Sequence, residues 1–241
     1  MLIIPAIDLK DGRCVRLYRG DFNTAHDVAP DPLAVARSYH DAGAALIHVV
    51  DLDGAKDGRR RNAALVEAIA RAAVPVRVEL GGGLRGMADL EAADRHGVWR
   101  FVIGSAAVED PDFVRAAVRQ YGERVVVGVD AKDGFVRTRG WVEGTALKDV
   151  DFARDMYKLG VNTIIYTDID TDGMLTGPNL EQLRAMRNAV PCGLVASGGV
   201  QSAEDVRALR EAGMDGVIIG KALYEGRIDL AEILTEGSGN I

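Results

Sequence analysis

The feature that most constrains this chain is an internal repeat at a spacing close to half its 241 residues. Val-Asp51-Leu-Asp53-Gly returns 117 residues on as Thr-Asp168-Ile-Asp170-Thr, and each copy is followed at the same spacing by an asparagine, Asn62 and Asn179. Gly82-Gly83-Leu84 returns as Gly198-Gly199-Val200, and Ile103-Gly104-Ser105-Ala106 as Ile219-Gly220-Lys221-Ala222, both 116 residues on. Asp8 and Asp130, each closing a β-branched run, stand 122 apart. Self-similarity at a fixed period marks a structural unit used twice.

The content of that unit can be read from hydrophobic periodicity. Eight short apolar runs punctuate the chain: residues 2–7, 46–50, 76–80, 100–103, 125–129, 163–166, 192–196 and 216–219. Most are continuously apolar, as parallel strands covered on both faces should be. Between them lie stretches with apolar spacing near 3.6, including 32–41, 62–72, 87–96, 111–120, 179–188 and 203–212. Asp110-Pro111 reads as a cap with proline at the first helical position, and Gly43, Gly97 and Gly213 stand where a left-handed residue ends a helix. Strand–helix alternation repeated eight times is an α/β pattern. Two copies of a four-(βα) unit supply the eight parallel strands that close into a (β/α)8 TIM barrel. The expectation is one domain over 1–241, made of half-barrels of about 1–122 and 123–241.

Composition narrows the function. A net charge of −7 with 5% aromatic residues argues against a nucleic-acid partner, since no Lys/Arg stripe with interleaved aromatics offsets it. No stretch approaches the roughly 20 apolar residues of a membrane span. The opening Met-Leu-Ile-Ile-Pro has no basic region before its apolar run and meets charges at once, so it does not read as a secretory signal. A cytoplasmic protein is expected. Cys14 and Cys192 fit no metal or redox spacing.

In a barrel of this kind the chemistry belongs at the carboxyl ends of the strands. Two classes of residue collect there. Glycine turns follow the third and fourth strands (Gly82, Gly83; Gly104, Ser105) and the seventh and eighth (Gly198, Gly199; Gly220, Lys221). Glycine lets backbone N–H groups approach an anion, and a following helix N-terminus adds partial positive charge. Two opposed pairs predict a small-molecule ligand with a phosphate at each end, although glycines also serve tight strand-to-helix turns. The second class is carboxylate. Asp8 and Asp130 occupy equivalent places in the two halves and are expected to face each other, one as base and one as acid. Each is otherwise a cap or a partner for a cation such as Arg16. Of Asp51, Asp53, Asp168 and Asp170, more than one is expected to be structural. The Asp-x-Asp pairs lack the twelve-residue loop and terminal glutamate of a calcium site, so no metal is expected. His48, inside the second strand, reads equally as a ligand contact or a satisfied core histidine. Lys132 to Trp141, bounded by glycines, reads as a lid, with Trp141 stacking on a flat ring and Arg137 or Arg139 meeting anionic groups, or as a surface hairpin.

These residues also resemble a known family. Ile-Pro5-Ala-Ile-Asp8-Leu-Lys-Asp-Gly12 with Arg16 and Gly20-Asp21-Phe22, His48-Val-Val-Asp51-Leu-Asp53, Glu79-Leu-Gly-Gly-Gly, Gly140-Trp141-x-Glu143, Thr167-Asp168-Ile-x-x-Asp172-Gly173-Met-Leu-x-Gly177-Pro178-Asn179 and Ala196-Ser-Gly-Gly-Val are similar to the ProFAR isomerases of histidine biosynthesis. The likeness runs from about residue 1 to about residue 235. It implies a cofactor-free Amadori rearrangement of an N-linked aminoaldose bisphosphate, phosphoribosyl-formimino-aminoimidazole carboxamide ribotide, to its ketose, by a monomer. It further implies Asp8 as the base at C2′ and Asp130 as the acid that helps open the ribose. Thr167 and Asp172 would orient the sugar, Arg16, His48 and Trp141 would contact it, and the four glycine turns would hold the phosphates. Arg139 before Gly140-Trp141 also resembles the bifunctional relative that isomerises phosphoribosyl anthranilate in tryptophan biosynthesis. The cyclase subunit of the histidine pathway shares the duplicated barrel and paired aspartates, but Gly140-Trp141 and the 167–179 segment fit the isomerase better.

Overall fold

The apolar runs become the strands of a closed sheet in the computed structural model, which describes residues 1–18, 21–58 and 60–238; Gly20 lies outside the described residues. The strands are β1 (Leu2–Lys10), β2 (Leu46–Asp51), β3 (Arg77–Gly81), β4 (Arg100–Ile103), β5 (Val125–Lys132), β6 (Thr163–Asp168), β7 (Gly193–Ser197) and β8 (Gly216–Ile219). Each is parallel to the next, and β8 returns to β1, with Leu2 opposite Gly216 and Pro5 opposite Ile219. The barrel is therefore closed and leaves none of its eight strands with a free edge, as the repeat predicts.

Two apolar layers explain why the runs do not alternate with polar residues. Ile4, Ala6, Leu46, Val102, Val126, Ile165, Val195 and Ile218 pack together inside the barrel. Their outward neighbours, among them Ile3, Ile47, Val78, Phe101 and Val127, pack under the helices. The helices begin and end where their caps require. Asp31 and Asp110 accept from the backbone N–H groups of Leu33 and Phe113, each ahead of a proline, and Gly43, Gly97 and Gly213 take φ of 92°, 81° and 81° after their helices. Among the described residues no helix is long and apolar enough to cross a membrane.

The structure corrects the expected strand ends at two places that matter for the site. Asp8 and Asp130 do not close β1 and β5; each strand runs two residues further, to Lys10 and Lys132. Both strands rise past the barrel rim into antiparallel ribbons. Leu9 pairs with Cys14 at the start of a ribbon formed by Arg13–Tyr18 and Asp21–Ala29. Ala131 pairs with Val136 in a second, formed by Phe135–Thr138 and Glu143–Lys148. The lid-like segment after β5 is thus a ribbon, as expected, and the first ribbon is its unanticipated counterpart. Polar, irregular patterning hid it: Asp21–Ala29 has no fully buried residue among its nine.

Candidate active site

The carboxyl ends of the strands and the two ribbons enclose a cavity of about 220 Å³. Asp8 and Asp130 both line it, on strands four apart in an eight-membered ring and hence on opposite walls. Arg16, His48, Trp141, Thr167 and Asp172 line it as well, and so do Gly82, Gly83, Gly104, Ser105, Gly198, Gly199, Gly220 and Lys221. Of the residues expected at the site, Arg137 and Arg139 are not part of the wall.

The two facing aspartates have different surroundings. Asp8 accepts from Arg16 Nη1 at 2.5 Å, both side chains being largely buried. Burial by itself would weaken the charge on Arg16, but Asp8 and then Asp172 outweigh it and hold the guanidinium more firmly protonated. Glycine at 220 makes room for that guanidinium: a Cβ there would lie 2.2 Å from Arg16 Nη2. Among the described residues no such cation is bonded to Asp130. Burial raises its carboxyl above the ordinary range, against the pull of hydrogen bonds from Trp141 and Thr167 and of nearby His48. Thr167 is its register partner on β6. One wall therefore holds an ion-paired carboxylate and the other a carboxyl biased toward its protonated form, the asymmetry that acid–base chemistry needs.

Asp172 is the third carboxyl of the cavity. Burial pushes it up to about 6, with Asp8 and Asp130 adding repulsion and Arg16 opposing. Its ordinary value is 3.8, so between about pH 4 and 6 the folded state holds a proton that the unfolded chain releases. Stability is then lost as pH rises through this window. Each pKa unit is worth about 1.4 kcal/mol, which the opening to the cavity discounts. Asp172→Asn is expected to stabilise the fold at pH 7 by about 1–2 kcal/mol and to leave it unchanged near pH 3.5. Urea titrations at the two pH values check this; an equal effect at both would refute the proton linkage.

The glycine turns carry two constraints. Gly82 and Gly198 take φ of +90° and +96°, and a Cβ would lie 2.1 Å from the Asp51 carbonyl oxygen and 2.9 Å from that of Asp168. Gly83 and Gly199 are similarly pressed, against Gly54 Cα at 2.9 Å and the Gly177 carbonyl oxygen at 2.3 Å. Close packing of the turn on the preceding βα loop thus accounts for these four glycines. Gly82→Ala is expected to cost about 2–3 kcal/mol from backbone strain and overpacking, measured as a lower urea midpoint. At Gly104 nothing lies within 4 Å of a Cβ, so that backbone is open to the cavity. Short helices start directly after Gly104 and Gly220 (Ser105–Glu109 and Lys221–Tyr224), presenting N–H groups suited to an anion. Lys221 Nζ is tied to the Gly173 carbonyl at 3.0 Å, joining the turn after β8 to the loop after β6.

The Asp-x-Asp segments fasten loops. Asp51 and Asp53 accept from Asn62 Nδ2 at 2.7 and 2.9 Å, and Asp53 and Asn62 accept from the backbone N–H groups of Asp11 and Gly12. Asn62 does not cap the helix that follows it, which begins at Ala63. In the second copy Asp168 accepts from Asn179 Nδ2 at 2.7 Å, and Asn179 does cap its helix at Gln182. Asp170 pairs with Lys132 at 3.1 Å.

His48 proves to be both a cavity residue and a satisfied one. Its Nδ1 lies 2.7 Å from Glu79 Oε1, and Glu79 Oε2 accepts from Arg100 Nε at 2.6 Å. Register places the three side by side on β2, β3 and β4. Glu79 is fully buried, His48 and Arg100 nearly so. Glu79 and Arg100 escaped the reading of site residues; the available signal was a charge inside each of two apolar strands.

The ribbons close over the rim. Arg139, Gly140 and Trp141 all have positive φ, of 54°, 63° and 72°. This run turns Trp141 inward and Arg139 outward, where it pairs with Glu109 at 3.3 Å and Glu143 at 3.1 Å. Its backbone N–H donates to Ser105 Oγ at 2.7 Å, anchoring the ribbon to the turn after β4. A Cβ at Gly140 would lie 2.8 Å from the Phe22 ring, so the ribbons from β1 and β5 touch there. Lys56 covers the same ring, 5.5 Å from its centroid.

This architecture has known relatives. The model of a family described as "Histidine biosynthesis protein" matches residues 2–229. A Listeria innocua protein named 1-(5-phosphoribosyl)-5-((5-phosphoribosylamino)methylideneamino) imidazole-4-carboxamide isomerase is 49% identical over 234 residues, covering 97% of either chain. A Bacillus cereus protein of the same name is 47% identical over 234 residues, covering 97% of this chain and 98% of its own.

Proposed function

This chain belongs to the histidine biosynthesis protein family, and on that premise we propose that Asp8 and Asp130 carry out its isomerase reaction as a general base and a general acid. The substrate is the N-linked aminoaldose bisphosphate of the named relatives, and the product its ketose. Asp130, biased toward its protonated form, gives a proton to the ribose ring oxygen as the C1′–O bond opens and the anomeric nitrogen, keeping its hydrogen, forms a protonated imine with C1′. Asp8 takes the C2′ proton, the electron pair moves toward C1′ and the imine becomes an enamine. Return of a proton at C1′ and release of the C2′ hydroxyl proton leave the ketone.

The observation that carries this reading is the placement of the two aspartates on opposite walls of one cavity, each wall flanked by a pair of glycine turns. A substrate with phosphates at both ends would span the turns after β3 and β4 and those after β7 and β8. Its reacting sugar would then lie between the carboxyl groups. Arg16, His48, Thr167 and Asp172 would orient the sugar, and Trp141 would cover the flat imidazole. The matching Asp51–Asn62 and Asp168–Asn179 bonds support two duplicated half-barrels within a single domain. The family resemblance implies a monomer, and we take it to act in the cytoplasm.

Incubation of the purified chain with this aminoaldose in D2O tests the proposal. The ketose should form with deuterium at C1′, because the proton returned there passes through a solvent-exchanging carboxyl. Absence of conversion by a folded chain would overturn it. Phosphoribosyl anthranilate in a parallel incubation should stay unconverted, since Arg139 is held outward by Glu109 and Glu143.

A further inference from the structure

We infer that Glu79 is a positioning residue for this isomerisation: it holds the proton of neutral His48 on Nδ1 and so presents the Nε2 lone pair to the sugar as an acceptor. The inference rests on the isomerase reading for its chemistry, but its core is a statement about one ring and one proton.

The geometry leaves little choice of tautomer. Glu79 has no exposure to solvent, and both its oxygens are engaged, Oε1 by His48 and Oε2 by Arg100. Burial would raise its carboxyl, yet His48 and Arg100 outweigh burial and hold it below the ordinary range. Glu79 is therefore a carboxylate, and a carboxylate can only accept. A nitrogen 2.7 Å from it must carry a hydrogen. That nitrogen is Nδ1, so in the neutral ring the bare nitrogen is Nε2. His48 lines the cavity, and Nε2 is the ring nitrogen away from Glu79. A sugar offers hydroxyl groups as donors, which such a nitrogen suits.

Arg100 has its own part. By pairing with Oε2 it keeps Glu79 from taking the histidine's proton for itself. The arrangement resembles the way a buried carboxylate orders a catalytic histidine, but here the ordered nitrogen faces substrate and not a nucleophile. Packing alone does not require it, since an apolar trio would fill the same three register positions on β2, β3 and β4 without desolvating charge.

Nitrogen-15 NMR of the histidines, with the His48 signals assigned by their loss in His48→Gln, reads the tautomer directly. The native chain, at a pH where the ring is neutral, should show a protonated Nδ1 and an unprotonated Nε2. In Glu79→Gln the amide oxygen should stay with Arg100 and its NH2 should face Nδ1, so that the His48 proton moves to Nε2. Turnover of the aminoaldose should then fall by about tenfold or more, a loss of the size seen when a supporting partner is removed, with kcat bearing more of it than KM. Glu79→Asp, which still accepts, should keep the Nδ1–H signature. A neutral native ring protonated at Nε2 would overturn the inference, and needs no variant to fold. Glu79→Gln with an unmoved signature and full kcat would overturn it too. If the native ring carries Nδ1–H and no turnover occurs at all, the positioning role falls together with the isomerase reading, while the assignment of the proton stands.

Discussion

Asp8→Asn should lower kcat by about 10²–10⁴, the range for a lost general base, or about 3–5 kcal/mol of barrier, with KM changed far less. Asparagine keeps the size of the side chain and an oxygen that can still accept from Arg16, so the wall of the cavity survives. What it cannot do is take a proton from carbon. Arg16 loses its nearest countercharge but retains Asp172 as a second, which limits collapse of the site. Steady-state kinetics on a variant whose thermal unfolding matches the parent make the comparison clean. Near-normal turnover would remove Asp8 from the proton-transfer step and leave it as a mere partner of Arg16.

The second large effect is on stability. Arg100→Met should cost about 3–5 kcal/mol, because it strands a fully buried Glu79 with His48 as its remaining partner. For a chain of this size that corresponds to a fall in Tm of roughly 6–20 °C. Replacing Glu79 and Arg100 together by Leu and Met should cost much less than Arg100→Met alone, since the uncompensated charge leaves with its partner. A thermodynamic cycle over the four proteins measures this. A double variant as unstable as the sum of the singles would show that the charges are not energetically coupled.

Both predictions concern residues that the chain announced in different degrees. The eight strands are legible because burial on both faces of a parallel sheet leaves continuous apolar runs, and the repeat pairs Asp8 with Asp130 before any coordinates are known. The glycine turns are legible for the same reason. The first ribbon is less so: Arg13–Tyr18 and Asp21–Ala29 are irregular in pattern and only partly buried, and such stretches have no periodicity to betray pairing. Arg139 shows a sharper limit. Its neighbours Gly140 and Trp141 do reach the cavity, and three successive left-handed residues send Arg139 the other way. Nothing in the order of side chains reports that twist. Glu79 and Arg100 were visible as misplaced charges, but their partnership depends on register across β2, β3 and β4, which only the closed sheet defines.

The joint between β1 and β8 has a consequence for how the protein is made. Leu2 has its hydrogen-bonded neighbour at Gly216. On the ribosome, at roughly 5–20 residues per second, that neighbour is synthesised about 10–40 s after Leu2. For that interval one flank of the first strand offers unpaired peptide groups to any other nascent chain. Cells producing this enzyme should thus rely on early chaperone engagement more than the stability of the finished ring would suggest.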